Sequence, residues 1–192
     1  MELKSLFKNG RIPNKNLKAI DTGQLLQKDA SISYMRMKSQ AKKDGINIDL
    51  SGKSSAYRLC GQKGDYNKGL SNGQFTQWYA WELYKSGKGN LAANPSNSSG
   101  CSSNHGWGIA IDVKGTQAQN WIKKNGAKYG WWWSGGTFSK IENWHFDYNF
   151  KKDTYYKETK QKTKNAVIYS LIGIVVVSFG FSMWYFTRPN KK

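Results

Sequence analysis

Two short stretches hold the residues whose types and spacing could do chemistry. The first is Ser103-Asn104-His105-Gly106-Trp107-Gly108-Ile109-Ala110-Ile111-Asp112, and the second is Glu142-Asn143-Trp144-His145. His105 and His145 are the only histidines in the chain, and each motif also carries a carboxylate. Zinc accepts imidazole nitrogen and carboxylate oxygen, and a catalytic zinc site takes three protein ligands while keeping a position open. His105, Asp112 and His145 are therefore read as ligands of one zinc ion. Glu142 is left as the unligated carboxylate that a hydrolase needs as general base, able to return the proton to a leaving amine. Either motif alone reads better as a satisfied histidine among surface acids. The pair together, with no other histidine in the chain, points to a metal.

Strand geometry says how such residues could be positioned. If Trp107 to Val113 is extended, Trp107, Ile109, Ile111 and Val113 face one side and Gly108, Ala110 and Asp112 the other. The second face is a floor of small residues ending in a carboxylate, with His105 entering from the preceding loop, where Gly106 relaxes the backbone. In the second motif Trp144, Phe146 and Tyr148 alternate with Asn143, His145 and Asp147. Glu142 lies three residues before His145, so an unbroken strand would aim the two in opposite directions. The metal reading thus requires Glu142 to sit in a turn or bulge ahead of the strand.

Further helices are expected over Gln24–Lys43, Gln74–Ser86 and Thr116–Lys124, with Gly45, Gly87 and Gly126 as stops. Alternation predicts a strand over Ile46–Leu50, and other extended pieces are expected at Ser54–Arg58 and Tyr129–Trp133. Uneven mixing of strands and helices indicates an α+β fold.

The pattern SxHxxGxAxD followed by ExWH resembles the zinc D,D-peptidase family, which includes VanY-type D-alanyl-D-alanine carboxypeptidases, VanX-type dipeptidases and phage L-alanyl-D-glutamate endolysins. The resemblance runs from about Asn9-Gly10-Arg11-Ile12-Pro13 to Tyr148 and is most specific over Gly89 to Asp112. It implies the same roles for His105, Asp112, His145 and Glu142. It also implies a central antiparallel sheet with flanking helices, hedgehog/D,D-peptidase-like, and peptidoglycan stem peptides as substrate. Arg58, which follows Tyr57, is added by the resemblance as the cation that steadies the scissile carbonyl; a fixed charge there can contribute several kcal/mol. Ser103, Tyr57 and Trp144 are carried over as substrate-binding candidates. Asn143 stands where family members often have proline. Cys60 and Cys101 are left open between a disulfide bracing the cleft and two free thiols. Which bond is cut, terminal D-Ala-D-Ala or L-Ala-D-Glu, is also open.

The chain has 192 residues and a formal charge of +18, which favours a polyanionic neighbour such as anionic lipid or cell wall. No nucleic-acid recognition motif accompanies that charge. Residues 1–150 are read as the zinc peptidase domain, 151–165 as a Lys-rich stalk and 187–192 as a basic tail. Between the last two, 166–186 carries no charged residue. As a helix it would be about 31 Å long, enough to cross a hydrocarbon core of about 30 Å. One C-terminal transmembrane helix in membrane lipid is therefore expected. With no secretory signal at the start, this gives a single-pass protein of a bacterial or virion membrane. The alternative function is a non-catalytic wall- or polyanion-binding module on the same fold.

Overall fold

The computed structural model describes residues 6–67, 75–96, 101–156, 158 and 160–165. The chain divides into two units, Met1–Thr154 and Tyr155–Lys192. All the elements that follow belong to the first unit.

The longest helix is set by its own sequence. Gln27 accepts a hydrogen bond from the Ala30 N–H through its side chain and so caps α1 (Lys28–Lys43). Ala30, Tyr34, Met37 and Ala41 recur at helical spacing and are fully buried. Gly45, with φ 78°, turns the chain just past the C-cap. Two short strands, β1 (Leu17–Ala19) and β2 (Leu25–Gln27), form an antiparallel pair ahead of α1.

The main sheet has four antiparallel strands in the order β3 (Asp49–Leu50), β4 (Ala110–Lys114), β6 (His145–Asp153) and β5 (Tyr129–Trp132). α2 (Gln77–Lys85) is capped by Thr76, whose hydroxyl accepts from the Tyr79 N–H at 3.1 Å. α3 (Thr116–Asn125) buries Ala118 and Ile122. The core is closed by Leu26, Ile48, Ile111, Val113, Trp131 and Phe146 against α1. Trp131 meets Tyr34 edge-on, with ring centroids 6.4 Å apart.

A mixed helix-and-strand fold with antiparallel sheets is thus what the sequence led one to expect. Several boundaries differ: α1 begins at Lys28, with Leu25–Gln27 a strand before it, and of Ile46–Leu50 only Asp49–Leu50 pairs as a strand. Residues 54–58 are not a strand, because Ser54 has φ 62° and the backbone bonds of this segment go to three separate partners. Tyr57 N donates to Leu25 O, Arg58 N to His105 O, and Ser55 O accepts from Asp112 N. The strand expected from Trp107 begins only at Ala110, since Asn104–Trp107 forms a 3-10 turn that Gly108 ends at φ 66°.

The expected C-terminal transmembrane helix is corrected. Among the described residues no helix is long and apolar enough to cross a membrane. The longest, α1, has 16 residues and carries Lys28, Asp29, Arg36, Lys38, Lys42 and Lys43, whereas a span needs about 20 predominantly apolar ones. The single-pass localisation and the membrane-lipid partner fall with it. The stretch 166–186 itself lies outside the described residues.

Candidate metal centre and cleft

Cross-strand pairing brings the two motifs together. In the β4–β6 ladder Asp112 lies directly opposite His145, so their side chains share one face. His105 reaches the same point from the 3-10 turn, whose first N–H groups are capped by Ser103: its Oγ accepts from the His105 N–H at 3.3 Å. The chain's N-terminal strap holds that turn from behind. Gly10 N donates to Gly106 O at 2.8 Å and Asn9 Nδ2 to Ser103 O at 2.8 Å. Gly106 is needed for this approach, because a Cβ there would overlap Asn9 Oδ1. Within this turn the left-handed backbone falls on Gly108, not on Gly106.

The hydrogens around the two imidazoles can be placed from their partners. His105 Nδ1 is 2.8 Å from the Ala56 carbonyl, which can only accept, so Nδ1 carries the hydrogen and Nε2 is bare. His145 Nε2 is 3.2 Å from Asp147 Oδ1, which leaves Nδ1 bare in the neutral ring. These two nitrogens are 3.3 Å apart, and Asp112 Oδ1 is 3.3 Å from the first and 3.0 Å from the second. Three lone pairs at such separations repel one another unless a cation or a proton lies among them. A tetrahedral zinc with bonds of about 2.0–2.1 Å holds its ligand atoms roughly 3.3 Å apart, and the observed triangle fits that spacing. His105, Asp112 and His145 can therefore hold a metal ion.

Electrostatics agree. Burial alone would raise Asp112, but His105, His145 and Arg58 around it hold its carboxyl well below the usual range. Burial would lower His145, yet its hydrogen bonds to Asp112 and Asp147 hold it up to about 9. Without a metal, a proton on His145 quiets the lone-pair repulsion. His105 is pulled below its ordinary value, chiefly by burial.

Glu142 precedes a turn closed by His145 N donating to Glu142 O at 3.3 Å. This is the break ahead of the strand that the metal reading required. Glu142 is 7% exposed and lines the cleft. Burial, then the charge of Asp112, push it up to about 7. Arg58 lines the same cleft. Its Nη2 is 3.4 Å from Asp112 Oδ2, Nη1 donates to the buried Gln77 Oε1 at 3.2 Å, and Nε donates to Ser54 O at 3.4 Å. Burial pulls Arg58 below its ordinary value while Asp112 and Glu142 oppose it. Arg58, His105, Asp112, Glu142 and His145 line one open cleft of about 820 Å³.

The weaker candidates separate. Ser103 and Trp144 line this cleft. Tyr57 does not, because its hydroxyl turns to the N-terminal strap, accepting from Ile12 N at 2.8 Å and donating to Ile12 O at 3.2 Å. Cys60 and Cys101 form a disulfide, tying the segment after Arg58 to the segment before His105. Two residues were missed. Asp147 backs His145, and its Oδ2 accepts from Asn104 Nδ2 at 2.8 Å; the spacing His-x-Asp on one strand face was the available signal. Gln77 on α2 orients Arg58, for which the sequence carries no local signal.

Among solved structures the chain is similar to a mutant of the vancomycin resistance D,D-pentapeptidase VanY, from a VanB-type resistance cassette, in complex with Zn(II). Identity is 18%, 76% of this chain and 88% of that chain are covered, and the TM-score is 0.45. It is also similar to VanYB in complex with D-alanine-D-alanine, at 16% identity with 74% and 83% covered and a TM-score of 0.46. A third is the LdcB LD-carboxypeptidase, at 19% identity with 81% and 76% covered and a TM-score of 0.48. No family model matches the chain, and no curated protein sequence matches it. These likenesses concern the fold alone.

Proposed function

We propose that the chain is a zinc-dependent peptidase that hydrolyses an amide bond in a peptidoglycan stem peptide. The observation that carries the reading is the convergence of two bare imidazole nitrogens and one carboxylate oxygen at 3.0–3.3 Å, beside an unligated carboxylate in an open cleft. The donor set of two nitrogens and one oxygen suits zinc. His105, Asp112 and His145 would hold the ion, which when bound supplies Lewis-acid polarisation.

The remaining chemistry belongs to the chain. Glu142, poised near pH 7 by burial and by Asp112, takes the proton of the attacking water and returns it to the leaving amine. Arg58, fixed by Gln77, Ser54 and Asp112, offers a preorganised cation to the carbonyl oxygen as it gains charge. Lys53 and Lys88 also line the cleft, and their charge suits the carboxylates of such a peptide. The substrate class is supported by the SxHxxGxAxD and ExWH motifs, and the cut falls at D-Ala-D-Ala or at L-Ala-D-Glu.

Mass spectrometry of purified muropeptides incubated with the zinc-loaded chain tests this. Loss of terminal D-alanine, or cleavage at L-Ala-D-Glu, is expected, with neither after chelation nor with Glu142→Gln. Muropeptides left intact by the zinc-loaded wild type, but bound by it and by Glu142→Gln alike, would identify a binding module instead.

A further inference from the structure

The run Trp131-Trp132-Trp133 sends its three rings to different places. Trp131 is buried in the core and Trp132 is 38% exposed. Trp133 stands between α3 and the turn that carries Glu142. Its Nε1–H donates to the Glu142 carbonyl at 2.9 Å, the same carbonyl that closes the turn on His145. Lys123 of α3 places its ammonium 3.6 Å from the Trp133 ring centre and donates to Asn143 Oδ1 at 2.9 Å. On the inner side Glu142 N donates to Gly135 O at 3.0 Å, and a Cβ on Gly135 would overlap the Glu142 carbonyl oxygen.

We infer that Trp133 and Lys123 are positioning residues for Glu142, clamping the 142–145 turn so that the carboxylate stays aimed into the cleft. The turn needs holding from outside. Asn143, its second residue, is exposed and has no ring to fix its backbone. Lys123 supplies the restraint by gripping the Asn143 side chain, and it does so while seated on the ring that also binds the Glu142 carbonyl. Cation–ring attraction and hydrogen bond therefore act on the same four-residue turn. A proline at the second position of a turn presets φ near −65° covalently, so it should replace the Lys123 restraint.

The catalytic consequence rests on the proposed peptidase reading; the clamp itself does not. The experiment compares wild type with Trp133→Phe, which keeps the ring but removes the N–H, with Lys123→Met, and with Lys123→Met/Asn143→Pro. Turnover of one muropeptide, zinc content and hydrogen exchange at the His145 amide are measured on each. For both single variants kcat falls about tenfold to a hundredfold, as expected for a misplaced group. KM and zinc content stay near wild type, and the His145 amide exchanges faster. The double variant recovers both kcat and protection. Wild-type kcat and exchange in the single variants would overturn the inference. So would a kcat loss that follows zinc loss, or a double variant that recovers neither. If the wild type shows no turnover, the peptidase reading fails, while exchange at His145 still decides the clamp.

Discussion

Replacing Asp147 by Asn should weaken zinc binding about tenfold to a hundredfold when measured at pH 9.5. Asp147 uses both oxygens on segments that carry ligands: Oδ1 lies 3.2 Å from His145 Nε2, and Oδ2 takes the Asn104 amide beside His105 at 2.8 Å. Losing the carboxylate removes the charge that fixes the His145 hydrogen on Nε2 and makes Nδ1 the better donor. Partners of this kind typically change metal affinity by 10–100-fold, or about 1.4–2.7 kcal/mol. The pH matters because a proton competes with the metal. In the metal-free chain His145 is held up to about 9, so at pH 7 the metal must displace a proton at a cost of roughly 2.7 kcal/mol. Asp147→Asn lowers that cost as well, so the difference between variant and wild type shrinks at pH 7. Competition with a chromophoric chelator at the two pH values measures both quantities. Equal affinity of wild type and variant at pH 9.5 would refute the assignment of Asp147 as the group behind His145.

Other outcomes follow from the same geometry. Arg58→Met should lower kcat by about 10²–10³ while zinc content is kept, since Arg58 lies beside Asp112 Oδ2 rather than among the ligand atoms; metal loss in parallel would show that its role is to hold Asp112. Removing the disulfide as Cys60→Ala/Cys101→Ala should cost about 4 kcal/mol by loop closure over a separation of 41 residues, read by urea unfolding. The metal-free chain should lose thermal stability as pH rises from about 6.5 to 9. His145 has a raised value, so its contribution is complete below 6.5 and gone above 9. Glu142, raised from 4.5 to about 7, opposes folding once ionised and acts in the same direction at lower pH. Saturating zinc should remove the fall between 6.5 and 9, and a midpoint that rises with pH in the metal-free chain would contradict the placement of these charges.

What the sequence made legible was local. The alternation around Asp112 and His145 led to strands, and the two strands pair with these residues opposite each other. The turn required at Glu142 followed from a spacing of three against a period of two. What stayed hidden depends on distant partners. Arg58 owes its position to Gln77 on α2 and to the Ser54 carbonyl, and no spacing within either segment encodes that. Ser54–Arg58 looked extended because its composition allows it, yet its backbone groups are taken up one at a time by Leu25, His105 and Asp112. Tyr57 stands next to Arg58 in sequence but faces the other way, toward Ile12. Asp147 was legible in principle, and was passed over because the strand face it shares with His145 was read only for ligands.

The strap at Asn9–Ile12 pairs with residues made well after it, at Tyr57, Cys60, Ser103 and Gly106. A ribosome releases Gly10 long before Gly106, whose carbonyl it binds, and His105 and Asp112 before His145, their partner at the lone-pair triangle. No nascent fragment that ends before β6 holds all three donors. Capture of a metal by all three donors must therefore wait until β6 is made, and zinc uptake during synthesis would report that β4 and β6 have paired.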